Sequence, residues 1–305
     1  MDVSIIYVNY KTGQLLIDSI CSVKEHTKAI EYEIIVVDNA SGDGSVDLIR
    51  NAFPESKIIE SPENLGFGRA NNLGISEAHG KKIFFLNPDT VLINNAVKIL
   101  SDYLDDNPKA GVCGGNLIDG NEEPANSFSR SESSLFSEFL AIFYFRLPDF
   151  PHPSSYYYNF TEKPLKVKSI IGADLMVKKQ VLEEVGTFDP DFFMNGEEED
   201  LCSRIRKHGY ELFSVPAAKI IHYEGRSSYV SASRLQLLNE SHFVTYKKKY
   251  GEKGPRLLYR ILWLKCIARQ LLFTLLRMKI KRKYWKNKRA VLGIAYKEYN
   301  KKSIA

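Results

Sequence analysis

Over the first 120 residues, short unbroken apolar runs alternate with stretches in which apolar residues recur every three or four positions. The runs are "VSIIYV" (3–8), "EIIVV" (33–37), "KIIE" (57–60), "KIFFLN" (82–87) and "AGVCGG" (110–115). Each is too short for a helix and apolar on both faces, as a strand covered from two sides must be. Between them, Leu15, Leu16, Ser19, Ile20 and Val23 mark one helical face, and residues 65–79 and 95–103 supply further helices. The order β-α-β-α-β-α-β-α-β predicts an α/β fold, a mostly parallel sheet flanked by helices.

Residues 121–166 break the pattern with Pro, Ser and aromatic residues, including "FPHPSSYYYNF" (150–160). Such an excursion can cover a site. Regularity returns at "VKSIIGADLMVKK" (167–179), followed by an acidic helix and a predicted strand pair, "YELFSV" (210–215) and "KIIHYEG" (219–225). Near the C-terminus, a helix over 256–278 would align Leu257, Ile261, Leu264, Ala268, Leu271, Leu275 and Met278 in one apolar stripe.

Charge divides the chain where this last helix begins. The 305 residues carry a net +5. Residues 251–305 hold 16 Lys/Arg against 2 Asp/Glu, whereas residues 1–250 hold 26 against 35. The expected organisation is an acidic body, residues 1–250, and a basic helical tail, residues 251–305. Arg260, Lys265 and Arg269 interrupt the tail's apolar run, which excludes a membrane span of about 20 apolar residues. A helix lying on an anionic membrane surface fits the stripe and the basic segment "RMKIKRKYWKNKR" (277–289) together. The four cysteines are widely scattered, which argues against a zinc or redox pair. "MDVSIIYVNY" lacks the basic flank and length of a signal peptide. The expected location is the cytoplasm, peripheral to the inner face of the cell membrane.

A parallel sheet collects its ligands outside the C-terminal ends of its strands. Polar residues stand at four consecutive strand ends: Asn9-Tyr10, Asp38-Asn39, Glu63-Asn64 and Asn87-Pro88-Asp89. Any one of these can be turn chemistry alone; four converging on one edge point to a binding cleft. In "VVDNASGDGS" (36–45), Asp38 can accept an N–H from a pyrimidine base, and Asp43 can cap the following helix. The G-x-G of "ENLGFGRANNLGI" (63–75) makes a poor dinucleotide loop, because its third glycine is misplaced and it does not follow the first strand. In "FFLNPDT" (84–90), Pro88 shapes the turn and Asp89 offers a hard oxygen ligand for Mg²⁺ or Mn²⁺. His222, at a later strand end, can add a nitrogen ligand, which tilts the choice toward Mn²⁺.

"FMNGEEEDLCSRIRKHGY" (193–210) opens a helix with four consecutive acids, Glu197 to Asp200. The helix N-terminus offsets part of their repulsion. Phasing places Glu198 at the head of the face formed by Leu201, Cys202 and Ile205, with Asp200 free to pair with Arg204 at i,i+4. An inward carboxylate at a helix start suits a general base. Glu197, Glu199 and Asp200 read as a solvated first turn.

Seven segments occur together in one order: "SIIYVNY", "VVDNASGDGS", "NLGFGRANNLGI", "FFLNPDT", "IIGADLMVKK", "FDPDFFMNGEEEDLCSRIRKHGY" and "IIHYEGRSS". In this the chain resembles family 2 of the glycosyltransferases, with the GT-A fold, and particularly the bacterial rhamnosyltransferase-like branch, over roughly residues 1–230. The resemblance implies an inverting, metal-dependent transfer of a sugar from a nucleotide diphosphate donor. Asp38 would bind the base, with Tyr10, Asn64 and Asn87 contributing to the donor pocket. Asp89 would be the last acid of the family's D-x-D motif, His222 its downstream metal-binding histidine, and Glu198 the catalytic base. Asn87 stands where many members have the first Asp, and Glu198 where Asp is frequent. The implied donor is dTDP-rhamnose or a UDP-sugar, and the implied acceptor a cell-surface glycan or a lipid-linked glycan. No nucleic-acid partner is expected. The alternatives are a nucleotidyltransferase, for which "YVNYKTGQ" is a poor basic Gly-rich loop, and an inactive scaffold with a nucleic-acid- or membrane-binding tail.

Overall fold

The computed structural model describes residues 1–143, 157–223 and 231–302. Residues 150–156 of the aromatic excursion and 224–228 of "IIHYEGRSS" lie outside the described residues. Two compact units are formed. The first takes in the described residues of 1–131, 152–193 and 197–228, and the second those of 132–151, 194–196 and 229–305. The helical unit thus also contains residues 231–250.

In chain order the first unit contains β1 (Val3–Asn9), α1 (Gly13–His26), β2 (Tyr32–Asp38), α2 (Ser45–Ala52), β3 (Lys57–Glu60), α3 (Phe67–Ser76), β4 (Lys82–Leu86), β5 (Thr90–Leu92), α4 (Ala96–Asp106), β6 (Ala110–Ile118) and β7 (Phe128–Ser129). The chain passes through α5 (Leu135–Phe143), which belongs to the helical unit, and returns to the first unit as β8 (Leu165–Val167), β9 (Ser169–Ile170), β10 (Asp174–Lys178), α6 (Lys179–Val185), α7 (Glu197–Lys207) and β11 (Glu211–His222). The helical unit continues with α8 (Ser231–Tyr250), α9 (Gly254–Leu275) and α10 (Lys279–Lys302).

Among the described residues the main sheet has nine strands, ordered β3-β2-β1-β4-β10-β6-β11-β5, with β8 pairing β11. Strands β3, β2, β1 and β4 run parallel, β10 is antiparallel to both β4 and β6, and β6 is parallel to β11. The unbroken apolar runs are explained by two cores. Ile5, Tyr7, Val36, Phe84 and Leu86 point to the side of α1 and α4, while the alternate residues Ile6, Ile35, Ile83 and Phe85 point to the side of α6 and α7. Strand period two distributes one apolar run between both faces.

One sequence expectation is corrected here. The predicted strand pair over 210–225 is a single strand, β11, which bulges between Ser214 and Lys219 and keeps pairing with β6 on both sides of the break. Pro216, which has no N–H to give, sits in that bulge. In the tail the helix expected over 256–278 is α9, and the basic segment beyond it forms a further helix, α10, after a break at 276–278. Leu258, Cys266 and Arg269 of α9 are buried, whereas Leu257, Leu264, Leu271 and Leu275 of the predicted stripe are exposed. A helix apolar nearly all round has no unique inner face, and its neighbours decide which side is covered.

A fully buried carboxyl group lies in the middle of the main sheet. Asp174 opens β10, and its Oδ2 accepts the Gly115 amide at 2.6 Å. Burial pushes its pKa well above the usual carboxylate range, and the single amide bond only partly opposes this. The folded protein therefore keeps a proton that the unfolded chain loses near pH 4. Stability contributed by this group is complete below that pH and is lost as pH rises toward the raised folded value. Asp174→Asn is expected to remove a slope of up to about 1.4 kcal/mol per pH unit from the unfolding free energy above pH 4. Urea titrations of both proteins across pH 4–8 check this; parallel curves would show that Asp174 is ionised in the fold.

Candidate active site

Parallel pairing of β1 with β2 sets Asn9 directly opposite Asp38 at the C-terminal edge of the sheet. The Asn9 Nδ2 group donates to Asp38 Oδ1 at 2.7 Å, Ser45 Oγ at 2.7 Å and Ser41 Oγ at 3.1 Å, while its Oδ1 accepts from Thr12. Asp38 Oδ2 accepts the Ser41 amide at 3.1 Å. Asp38 Oδ2 thus orients the loop after β2 while Oδ1 ties β2 to Asn9 of β1, and each oxygen retains a further lone pair for a ligand. Asp43 Oδ1 accepts the Ser45 amide at the start of α2, and the Ser45 hydroxyl first, then this amide, hold the Asp43 carboxyl below its usual pKa.

The third strand end joins through Asn39. Its backbone N–H donates to Asn9 O, its Nδ2 to Asn64 Oδ1 at 2.9 Å, and its Oδ1 accepts the Leu65 amide at 2.8 Å. Asn64 Oδ1 also accepts the Gly66 amide at 2.9 Å. Strand ends β1, β2 and β3 are therefore one hydrogen-bonded network with a polar rim. Tyr10, one residue beyond Asn9, is half-buried, and the Lys11 ammonium lies 5.6 Å from its ring centroid.

The fourth strand end builds a different cluster. The Asn87-Pro88-Asp89 turn leads from β4 straight into β5, closed by Thr90 N–H and Oγ1 donating to the Asn87 carbonyl at 3.2 and 2.7 Å. Antiparallel pairing of β5 with β11 brings His222 opposite Thr90, and the Tyr223 amide donates to Asp89 O at 2.9 Å. As a result His222 Nε2 lies 3.4 Å from Asp89 Oδ1, both side chains buried. One imidazole nitrogen and one carboxylate oxygen thus stand at a spacing that suits two neighbouring ligands of a divalent cation lying to one side of them. No group of three or more His, Cys, Asp or Glu suited to a metal occurs among the described residues. A cation here would take its remaining ligands from water and substrate phosphate, as Mg²⁺ and Mn²⁺ commonly do. An open pocket of about 510 Å³, lined by His222, Tyr223 and the polar hairpin residues Asp119, Asn121 and Asn126, lies alongside.

The acidic helix is placed by the "NLGFG" segment. A Cβ at Gly66, where φ is +81°, would lie 2.0 Å from the Phe193 carbonyl oxygen, and the Phe67 amide donates to that same oxygen at 2.9 Å. A Cβ at Gly68 would sit 3.5 Å from Glu197 Cβ. These glycines give close passage to the chain entering α7, which is the physical content of the G-x-G. From the other end Arg204 holds α7 by pairing with Asp200 at 2.8 Å and donating to the carbonyls of Val185, Gly186 and Thr187.

Within the first turn of α7, Glu197 is 3% exposed, as buried as Leu201, Cys202 and Ile205 further along the helix, and Glu198 is half-buried. Glu197 is therefore not part of a solvated turn; it stands four and eight residues before Leu201 and Ile205, on the buried side of α7. Glu198 faces the Gly172 segment, its Cβ 3.9 Å from where a Gly172 Cβ would be, and the next residue, Ala173, accepts the Asn87 amide at 3.0 Å. Residues 172–173 thus stand between Glu198 and the turn that carries Asp89.

A model of glycosyl transferase family 2 matches residues 4–186, well over half of the chain. The chain belongs to glycosyl transferase family 2. The match spans the strand ends just described, from β1 through the Asn87–Asp89 turn to the end of α6. The N-acetylglucosaminyl-diphospho-decaprenol L-rhamnosyltransferase of Mycobacterium tuberculosis is 25% identical over 236 residues, 73% of this chain and 76% of that protein. The dTDP-rhamnosyl transferase RfbF of Shigella flexneri is 25% identical over 198 residues, 64% and 61% of the two chains. Among solved structures, mannosyltransferase PcManGT from Pyrobaculum calidifontis in complex with GDP-Man and Mn²⁺ superposes with a TM-score of 0.61 at 16% identity, covering 98% of this chain and 86% of that one. The α/β architecture is accordingly the GT-A fold of this glycosyltransferase family.

Three of the chemically important residues were not assigned a role from sequence. Asn9 and Asn39 were visible only as strand-end residues, because their partners are about 25 to 35 positions away. Glu197 was hidden in a run of four acids, where one residue of helix phase decides which points inward.

Proposed function

We propose that this family 2 enzyme moves rhamnose or a similar sugar, with inversion, from a nucleotide diphosphate donor to a hydroxyl of a cell-surface glycan or lipid-linked glycan. The observation that carries the reading is the buried Asp89–His222 pair, 3.4 Å apart, on the sheet edge that also holds the Asn9–Asp38–Asn39–Asn64 network. Similarity to two rhamnosyltransferases supports rhamnose as the sugar, and the name of the second supports dTDP as the nucleotide, with a UDP-sugar as the alternative donor.

In this reading Asp38 receives an N–H of the base, while Tyr10 and Asn64 line the nucleotide pocket and Asn87 borders the diphosphate. Asp89 and His222 would hold Mg²⁺ or Mn²⁺, which when bound supplies positive charge against the departing diphosphate. Glu198 takes the proton from the acceptor hydroxyl as its oxygen forms the new bond to the anomeric carbon. The carbon–oxygen bond to the diphosphate breaks on the opposite face, and its electron pair leaves with the phosphate. No covalent enzyme intermediate is required. Because the acceptor is proposed to be membrane-borne, the enzyme works peripherally at the inner face of the cell membrane.

A donor panel tests the proposal. Each nucleotide sugar is scored for Mn²⁺-dependent binding and for slow hydrolysis without acceptor. A dTDP- or UDP-sugar should stand out in both measurements. Binding of nucleoside triphosphate with release of pyrophosphate from a sugar phosphate would overturn it in favour of nucleotidyl transfer.

A further inference from the structure

In the helical unit, the apolar stripe that the sequence pattern picks out on α9 is left uncovered. Leu257, Leu264 and Leu271 recur every seven residues, continue to Leu275, and are all exposed, Leu275 by 82%. The covered side of α9 lies elsewhere: Leu258 packs in a cluster with Phe243, Tyr246, Leu292 and Tyr299 from α8 and α10. On a second flank α5 runs alongside α9, with Glu138 paired to Lys265 at 3.3 Å and the Ala141 carbonyl accepting from Arg269 at 3.4 Å. This neighbour also leaves Phe136, Phe139 and Phe143 exposed.

Between α9 and the start of α10 is a groove of about 650 Å³ whose α10 wall is Lys279, Arg282, Lys283, Lys286 and Arg289, and whose α9 wall includes Ile267, Leu271 and Thr274. None of these five cations has an ion-pair partner among the described residues. From residue 253 to residue 297 the chain has 14 Lys/Arg and no Asp or Glu. Seven-residue spacing puts Arg260 on the same side of α9 as Ile267 and Thr274, so the cations extend along the stripe. In the first turn of α10 Ile280 is 87% exposed. No described helix is long and apolar enough to cross a membrane.

From this juxtaposition we infer that the α9–α10 face docks on an anionic lipid bilayer, with the uncovered Leu stripe in the acyl–headgroup boundary and lipid phosphates in the basic groove. The inference rests on the reading that the enzyme works at a membrane, and names the surface that makes the contact. Cations alone would fit RNA as well. Exposed leucines and Ile280 beside them favour lipid, because RNA gives aliphatic side chains no apolar layer to enter, whereas a bilayer interface does. A membrane-facing helix must leave its apolar stripe free of protein, as α9 does.

Co-flotation of the full-length chain with phosphatidylcholine vesicles, with and without a third of phosphatidylglycerol, tests the inference. The native chain should float with the anionic vesicles only. Arg282→Gln/Lys283→Gln/Lys286→Gln, all three exposed, should weaken anionic-vesicle binding about 100-fold, from the loss of three cations near a charged surface. Leu271→Gln/Leu275→Gln should weaken it about tenfold at unchanged charge. Circular dichroism and donor binding should be unaltered in both variants, which separates lost docking from lost folding. Equal binding of the native chain to neutral vesicles, unchanged binding by either variant, or retention of RNA or inorganic phosphate without vesicles would each overturn the inference. Loss of vesicle docking with donor binding intact leaves the proposed transfer standing; absence of donor binding with docking intact removes the transfer and leaves the docking face.

Discussion

Glu198→Gln is expected to lower sugar transfer by about 10²–10⁴-fold, the range supplied by a general base, while nucleotide-sugar binding stays as in the native enzyme. Gln keeps the length of the side chain and its place in the first turn of α7, but cannot take the acceptor proton. The expectation comes from position: Glu198 is half-buried and faces Gly172, and the Ala173–Asn87 hydrogen bond links that segment to the Asp89 turn. Glu197→Gln is the informative companion. Glu197 packs its Cβ and Cγ against Gly68 and is buried, so its loss should act on folding more than on turnover. Initial rates with acceptor, together with donor titrations, distinguish the two. Full activity of Glu198→Gln with a large loss in Glu197→Gln would move the base by one residue.

Asp89→Ala is the second substitution with a large expected effect. It removes one of the two side chains facing each other at 3.4 Å and leaves His222 in place, because His222 is positioned by backbone pairing of β11 with β5. The Mn²⁺-dependent part of donor binding should vanish, a larger loss than the roughly 10–100-fold that follows removal of a ligand's hydrogen-bond partner. Calorimetric titration of the donor with and without Mn²⁺, on native and variant protein, measures it. The same Mn²⁺ response in both proteins would show that Asp89 holds no cation.

The strands of the first unit were legible because a covered parallel sheet demands apolar residues on both faces, and few other structures place such short runs between helical spacings. The clustering of polar residues at strand ends was legible for the same reason: parallel strands bring their C-terminal ends to one edge. The single strand β11 was misread as two because Pro216 looks like a break, and only pairing with β6 on both sides of the bulge carries the strand through. Periodicity marked the leucine stripe of α9 but not the side that its neighbours cover. Leu258, Cys266 and Arg269 are covered by other helices and by α5, and the more regular leucine stripe is not.

By itself the sequence determined the alternation of strand and helix, the acidic body and basic tail, and which residue types stand at the sheet edge, since local spacing and composition are properties of the chain alone. Tertiary structure decided that Asn39 reaches Asn64, that β5 and β11 carry His222 to Asp89, that Gly66 and Gly68 admit the chain entering α7, and that Glu197 turns inward beside Glu198. Each of these is a contact between segments far apart in the chain or a matter of one residue of helix phase, and neither is encoded in any local pattern.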